Sequence, residues 1–197
     1  MKVRDSDMPE ETVWDRLFDV DLILSRMQID RHVETLTEIG FGYGTFTLPA
    51  ARRISGTLHA FDIDPKMRSV VEKKRQEQPA ESTSSGTGNI QLHIRDVIAS
   101  TTGLPDRSTD YVMLFNIMHH DRPAELLEES NRILKRGGKA GIIHWRSDIS
   151  TPRGPDLSIR PTPEKICDLL REHSFHVEGE PEILPPYHFG VIGRKVL

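Results

Sequence analysis

The chain has 197 residues, of which 36% are hydrophobic and 28% charged, a composition expected of a globular protein with enough length for a full core. Its formal charge of -4 supplies no broad basic face for duplex DNA or RNA, so small molecules rather than nucleic acids are the expected partners. No apolar run approaches a membrane span or a signal segment, and the lone Cys167 excludes an internal disulfide framework and a cysteine-pair metal site; the expectation is a cytoplasmic protein away from membranes, with Cys167 a small buried hydrophobe.

Between Met8 and Met27 the residues Val13, Leu17, Val20, Ile23 and Leu24 recur at helical spacing behind Pro9, so residues 1–30 read as a helical lead-in, one helix or a pair. Thr35 to Ile39 reads as a strand, Thr45 to Ile54 as a helix, Thr57 to Asp62 as a strand and Pro65 to about Glu77 as a helix. Lys73, Lys74 and Arg75, balanced by Glu72 and Glu77, read as a solvated helix face. Pro79 to Asn89, rich in Ser, Thr and Gly, reads as a polar loop before strand-like Ile90 to Ile94. Tyr111 to Phe115 is a continuous apolar run, as expected of a strand covered on both faces near the centre of a parallel sheet. A helix from Pro123 to about Lys135 should stop at Gly137-Gly138, with Lys139 to Trp145 the next strand.

Asp148 to Pro161 carries prolines at 152, 155 and 161 and is too irregular for a regular element. Thr162 then caps a helix that has Pro163 at its first position and runs to about His173. Phe175 to Leu184 and Tyr187 to Val196 close the chain as strands. The alternation predicts an α/β, doubly wound, mostly parallel seven-stranded sheet with helices on both faces and a C-terminal antiparallel hairpin, one domain over residues 1–197.

Chemistry concentrates at Glu38-Ile39-Gly40-Phe41-Gly42-Tyr43-Gly44, where a strand should turn into a helix. Glycine lacks a Cβ and tolerates positive φ, so a ligand can pack against bare backbone there, and the following helix offers unpaired N–H groups to an anion. The spacing is G-x-G-x-G, with Thr45 where the dinucleotide fingerprint G-x-G-x-x-G needs glycine, and no Gly-Lys-Ser/Thr ends the loop as in a phosphate loop. A tight structural turn is the alternative at this point.

Four further stretches in order extend the pattern: Phe61-Asp62-Ile63-Asp64-Pro65-Lys66-Met67, Arg95-Asp96-Val97, Gly103 to Tyr111 leading to Asn116, and Ile133 to Lys139. Together with the glycine stretch they make the chain resemble a class I S-adenosylmethionine-dependent methyltransferase of the small-molecule, type 11-like kind, over nearly its whole length. The resemblance implies S-adenosyl-L-methionine as cofactor. Glu38 would hold its ammonium, and Gly40, Phe41, Gly42 and Gly44 would cradle its methionine end. Asp62 would accept from the ribose hydroxyls, with Ile63 and Met67 in the same set. Asp96 and Val97 would read the adenine, Asn116 would sit at the mouth, and Asp110 would cap its strand. Phe41 and Tyr43 are larger than the residues usual between the family's glycines, and would pack against the methionine portion or against a leading helix. Glu38 replaces the commoner aspartate.

Methyl transfer needs an in-line approach and exclusion of water, so no conspicuous catalytic group is required. A hydroxyl or thiol acceptor would gain from a base, for which His119, His120 and Tyr187 are the candidates. The bland readings are a histidine pair split between core and solvent, and edge-strand packing for Tyr187. His144-Trp145-Arg146 is a second candidate lining, with Trp145 equally readable as core. The scattered histidines lack metal spacing, so no metal is expected. Acceptor choice is expected to fall to Met1–Met27, Asn116–Arg122 and Trp145–Pro161. A cofactor-binding module that methylates nothing and an oxidoreductase on a related sheet are the competing readings.

Overall fold

A computed structural model describes residues 9–77 and 89–196. The expected polar loop from Pro79 lies outside them, apart from Asn89, which already belongs to a strand. The leading segment is α1 (Glu11–Trp14), a 3-10 turn (Asp15–Leu17) and α2 (Val20–Arg26). β1 (Thr35–Ile39), α3 (Thr47–Arg53), β2 (Thr57–Asp62), α4 (Pro65–Glu77) and β3 (Asn89–Ile94) follow. Then come α5 (Val97–Ser100), β4 (Thr109–Phe115), α6 (Pro123–Ile133), β5 (Leu134–Trp145), α7 (Pro163–Glu172), β6 (Phe175–Leu184) and β7 (His188–Lys195).

One seven-stranded sheet has the order β3-β2-β1-β4-β5-β7-β6. The first five strands run parallel, and β7 lies antiparallel between β5 and β6. Along β4 the side chains alternate between two cores. Tyr111, Met113 and Phe115 join Ile23, Leu24 and Val71 on one face, and Val112 and Leu114 join Leu126, Leu127 and Ile166 on the other. Helices therefore cover both faces, which is why the run Tyr111 to Phe115 carries no polar residue. Among the described residues no helix is long and apolar enough to cross a membrane.

Several boundaries differ from expectation. α6 ends at Ile133 rather than at Gly137-Gly138, because the fully buried Leu134 adopts an extended conformation to pair with Thr109. The strand then bulges: three residues of β4, Thr109 to Tyr111, span Leu134 to Lys139 of β5, with Gly137 at φ 72 within that stretch. The leading helix turns only once before the 3-10 segment changes phase, so Trp14 is buried and Val13, expected inside, is 44% exposed. α3 begins at Thr47 rather than Thr45, because Thr45 lies in the preceding turn and its hydroxyl donates to Asp15 at 2.7 Å. Asp110 lies within β4 and closes the start of β1, accepting from Thr35 N at 2.8 Å. Cys167 is free and buried.

Candidate functional site

A cavity of about 560 Å³ opens along the C-terminal ends of β3, β2, β1 and β4, at the point where strand order reverses between β1 and β4. Parallel strands bring every βα turn to that edge, so residues distant in sequence converge there. From the turn after β1 come Gly40, Phe41 and Gly42, with Glu38 behind them. β2 and the turn after it supply Asp62, Ile63 and Met67. Asp96 and Val97 follow β3, and Asn116, His119 and His120 follow β4. Gly44 and Tyr187 do not line it, nor do His144, Trp145 and Arg146. Gly44 instead backs onto α4, where a Cβ would lie 2.8 Å from Val71 Cγ2, and its φ of 76 suits glycine. Tyr187 stacks on Trp145 at 6.2 Å between ring centroids.

Charge at the site is held in an unusual state. Glu38 is only 2% exposed, and burial, with a smaller contribution from the negative charge of Asp62, pushes its pKa up to about 8. Its Oε2 makes no hydrogen bond, and neither do Asn116 Oδ1 and Nδ2, although all three atoms are buried. Unmatched buried polar atoms are costly, and three of them on cavity-lining residues mark places where a ligand would complete the bonding. Asn116 also holds φ 56, uncommon outside glycine. The Asp62 carboxylate accepts from Gly42 N at 2.8 Å and from Asp64 N at 2.9 Å, so it shapes the glycine turn; burial raises its pKa while those N–H groups oppose the rise. Asp96 caps α5, accepting from Ile98 N and Ala99 N, both at 3.0 Å.

Apolar walls complete the cavity. Trp14 reaches in from α1, with Tyr43, Phe46, Phe115 and Ile117 around the β1 and β4 side and Ile98 and Leu126 toward α5 and α6. The glycine stretch already named Tyr43, but no motif marked Phe46, Ile98 or Leu126; Trp14 is placed at the site only once the leading segment folds over the glycine turn. Lys74 anchors that closure, pairing with Glu11 at 2.6 Å and donating to Tyr43 O at 2.8 Å, so it is not merely part of a solvated face. Tyr43 packs on the leading segment, its hydroxyl donating to Pro9 O at 3.1 Å.

Behind the cavity lies a histidine pair. His119 Nδ1 and His144 Nε2 are 3.2 Å apart, and His144 Nδ1 is 3.2 Å from Trp145 O. Burial, helped by the nearby His119, lowers the His144 pKa to about 3. His120 is the less buried neighbour, its Nδ1 accepting from Arg122 N at 2.9 Å. Trp145 is core, 1% exposed, and the Arg160 guanidinium lies over its ring at 5.7 Å. No residue of 145–161 lines the cavity. Arg160 instead donates to the carbonyls of Pro155, Arg146 and Arg153, folding that irregular segment onto itself. Among the described residues no group of three or more His, Cys, Asp or Glu is arranged to hold a metal ion.

Comparison with known proteins agrees with this geometry. The family model described as a methyltransferase domain matches residues 37–142, more than half of the chain. The chain belongs to the class I S-adenosylmethionine-dependent methyltransferases, type 11-like. Among solved structures, a SAM-dependent methyltransferase from Aquifex aeolicus superposes with a TM-score of 0.78 at 20% identity, covering 95% of this chain and 94% of that one. A proposed type 11 methyltransferase from Sulfolobus solfataricus gives 0.68 at 23% identity over 90% and 91%. The [4+2]-cyclase SpnF gives 0.70 at 16% identity over 98% and 85%. At these identities the likeness is one of fold. An uncharacterized protein, MJ1123, of Methanocaldococcus jannaschii is 29% identical over 66% of this chain, which spans 57% of that relative's length.

Proposed function

We propose that the protein transfers a methyl group from S-adenosyl-L-methionine to a small acceptor by direct in-line displacement, working as one domain in the cytoplasm without nucleic acid or membrane. The observation that carries this reading is the set of unmatched buried polar atoms on Glu38 and Asn116 beside a glycine turn with bare backbone. An acid and an amide so placed suit the ammonium and carboxylate of an amino-acid group. Asp62 suits a ribose diol, as an acid does at the end of the second strand in dinucleotide sites. Asp96 and Val97, between Arg95 and Ile98, suit a flat base. When bound, the cofactor supplies an electrophilic methyl carbon. The chain supplies position and dryness, worth roughly 7–11 kcal/mol in favourable cases of oriented reactants.

Cavity size limits the acceptor. Cofactor and acceptor would share about 560 Å³, within the range of ordinary small-ligand sites, which suits a small acceptor. Trp14, Phe46 and Phe115 favour a flat apolar body. Calorimetric titration with S-adenosylmethionine and its demethylated product tests the reading. Binding is expected for both, and the absence of heat with folded protein at millimolar ligand would overturn it. Asp62→Ala should weaken both ligands by at least about tenfold, since a charge-assisted hydrogen bond contributes about 1.5–3 kcal/mol.

One second reading is a site that binds the cofactor without transferring its methyl, since the fold, shared with a [4+2]-cyclase at 16% identity, does not by itself fix the chemistry. Turnover of methyl-labelled cofactor with a metabolite library separates the two. Release of the demethylated product supports transfer; bound cofactor that stays intact supports the second reading.

A further inference from the structure

β3 and β2 form one outer end of the sheet, and their two faces differ. Leu58, Ala60, Ile90 and Leu92 belong to the core that holds Val71 of α4. The alternate residues are Thr57, His59 and Phe61 of β2 and Asn89, Gln91 and His93 of β3, and of these only Phe61 is buried. Parallel register sets Phe61 beside His93 and His59 beside Gln91, so the two histidines are diagonal neighbours on this second face. His93 lies flat on Phe61, with 4.6 Å between centroids and 14° between planes, and the stack holds its ring in place. His59 Nδ1 and His93 Nε2 then meet at 3.4 Å.

That distance is informative. It exceeds the roughly 2.7–3.2 Å usual for a hydrogen bond donated by nitrogen. Two nitrogens held about 2.0–2.1 Å from one zinc ion at the tetrahedral angle lie about 3.3–3.4 Å apart. Ligands at right angles on an octahedral ion would be closer, about 3.0 Å. The separation suits two ligands of one tetrahedral ion better than a shared proton.

The rings are also in the right charge state. Burial lowers the pKa of both and holds them neutral at neutral pH, so an ion has no proton to displace. His93 lowers His59 further, and Arg68 and Arg95 lower His93. Those guanidiniums oppose a cation, yet each is partly offset: Arg68 pairs with Glu72 at 2.8 Å, and Arg95 donates to the carbonyls of Thr101 at 2.7 Å and Ser100 at 2.8 Å. Both rings are half-buried, which leaves solvent a path to the pair.

We propose that His59 Nδ1 and His93 Nε2 bind a late divalent transition-metal ion, zinc by their tetrahedral spacing, on the outer face of β2 and β3. Among the described residues no third His, Cys, Asp or Glu joins them, so water fills the remaining positions and the ion exchanges readily. The site stands apart from the cavity and does not depend on the methyl-transfer reading. A bound ion ties edge strand β3 to β2 through side chains as well as through the ladder.

Nitrogen NMR of protein labelled in its histidine rings, followed through a zinc chloride titration, tests the site. Zinc up to millimolar concentration should move the resonances of His59 Nδ1 and His93 Nε2 together, the protons residing on the other nitrogen of each ring. Magnesium, which prefers oxygen ligands, should move neither. His59→Thr should weaken the zinc response of His93 by at least about tenfold, and His93→Phe that of His59, since losing even a group that only supports a ligand costs about 10–100-fold. Thermal unfolding on the same samples checks the fold. No response of these two nitrogens at millimolar zinc would overturn the proposal. So would binding through the opposite nitrogens, an equal response to magnesium, or an undiminished response in the folded variants. Should neither variant fold, the parent spectrum still decides which atoms bind.

Discussion

Glu38 and Gly44 sit six residues apart in one motif and do different work. Glu38 in the folded protein keeps its proton up to about pH 8, whereas the unfolded chain releases it near the usual 4.5. The folded state then binds more protons than the unfolded one between those values, so stability falls as pH rises through that window. Glu38→Gln should stabilise the ligand-free protein at pH 8 by on the order of 4 kcal/mol, seen in urea unfolding, and have little effect at pH 4.5. The same substitution should weaken S-adenosylmethionine. In the parent, affinity should rise with pH toward 8 as the carboxyl ionises, with proton release visible as buffer-dependent heats. Gly44→Ala should act on folding instead. Its positive φ and the 2.8 Å approach to Val71 predict a loss of more than about 1 kcal/mol, while cofactor affinity measured on the remaining folded protein stays within about twofold.

At the scale of elements, the leading segment is held over the site by rings more than by its helical turns. Phe18, just past the 3-10 turn, lies 4.9 Å from Trp14, 5.1 Å from Phe46 and 4.5 Å from His188, centroid to centroid. Phe18→Ala should cost about 3–5 kcal/mol in chemical denaturation, the usual loss for a buried aromatic side chain. Val13→Ala on the neighbouring exposed position should stay within about 0.5 kcal/mol. Equal losses at the two positions would show that the segment packs in the phase expected from its sequence.

The molecule as a whole should have an acid limit set by its buried histidines. Burial lowers His144 and His188 to about 3, against the usual 6.5, and keeps both neutral in the fold. The unfolded chain takes up their protons first, so the contribution of these two histidines is intact above pH 6.5 and lost as pH falls toward 3. Each histidine contributes a slope of about 1.4 kcal/mol per pH unit in that window, and Glu38 offsets one of the two down to pH 4.5. His188→Phe, seated between Phe18 and Trp145, should remove one proton's worth of slope between pH 6 and 4.5 while leaving unfolding at pH 8 little changed. Urea unfolding at a series of pH values reads the difference.

Sequence alone determined the strands, most helices and the family, because those depend on short-range signals: alternating or continuous apolar runs, Pro163 after Thr162, and an acid and three glycines where β1 turns. It also named the acids at the ends of β1 and β2, since backbone geometry ties those positions to the strand edge. Tertiary structure decided the rest. Leu134 leaves its helix because Thr109 pairs with it, and β7 enters between β5 and β6 because the sheet has a place for it there, a choice no local pattern encodes. Gly44 and Lys74 face other elements that the chain reaches only after folding. The two adjacent histidines differ in partner for the same reason: His119 meets a buried ring from β5 and His120 a backbone N–H, and a hydrogen-bond partner is a property of space rather than of sequence.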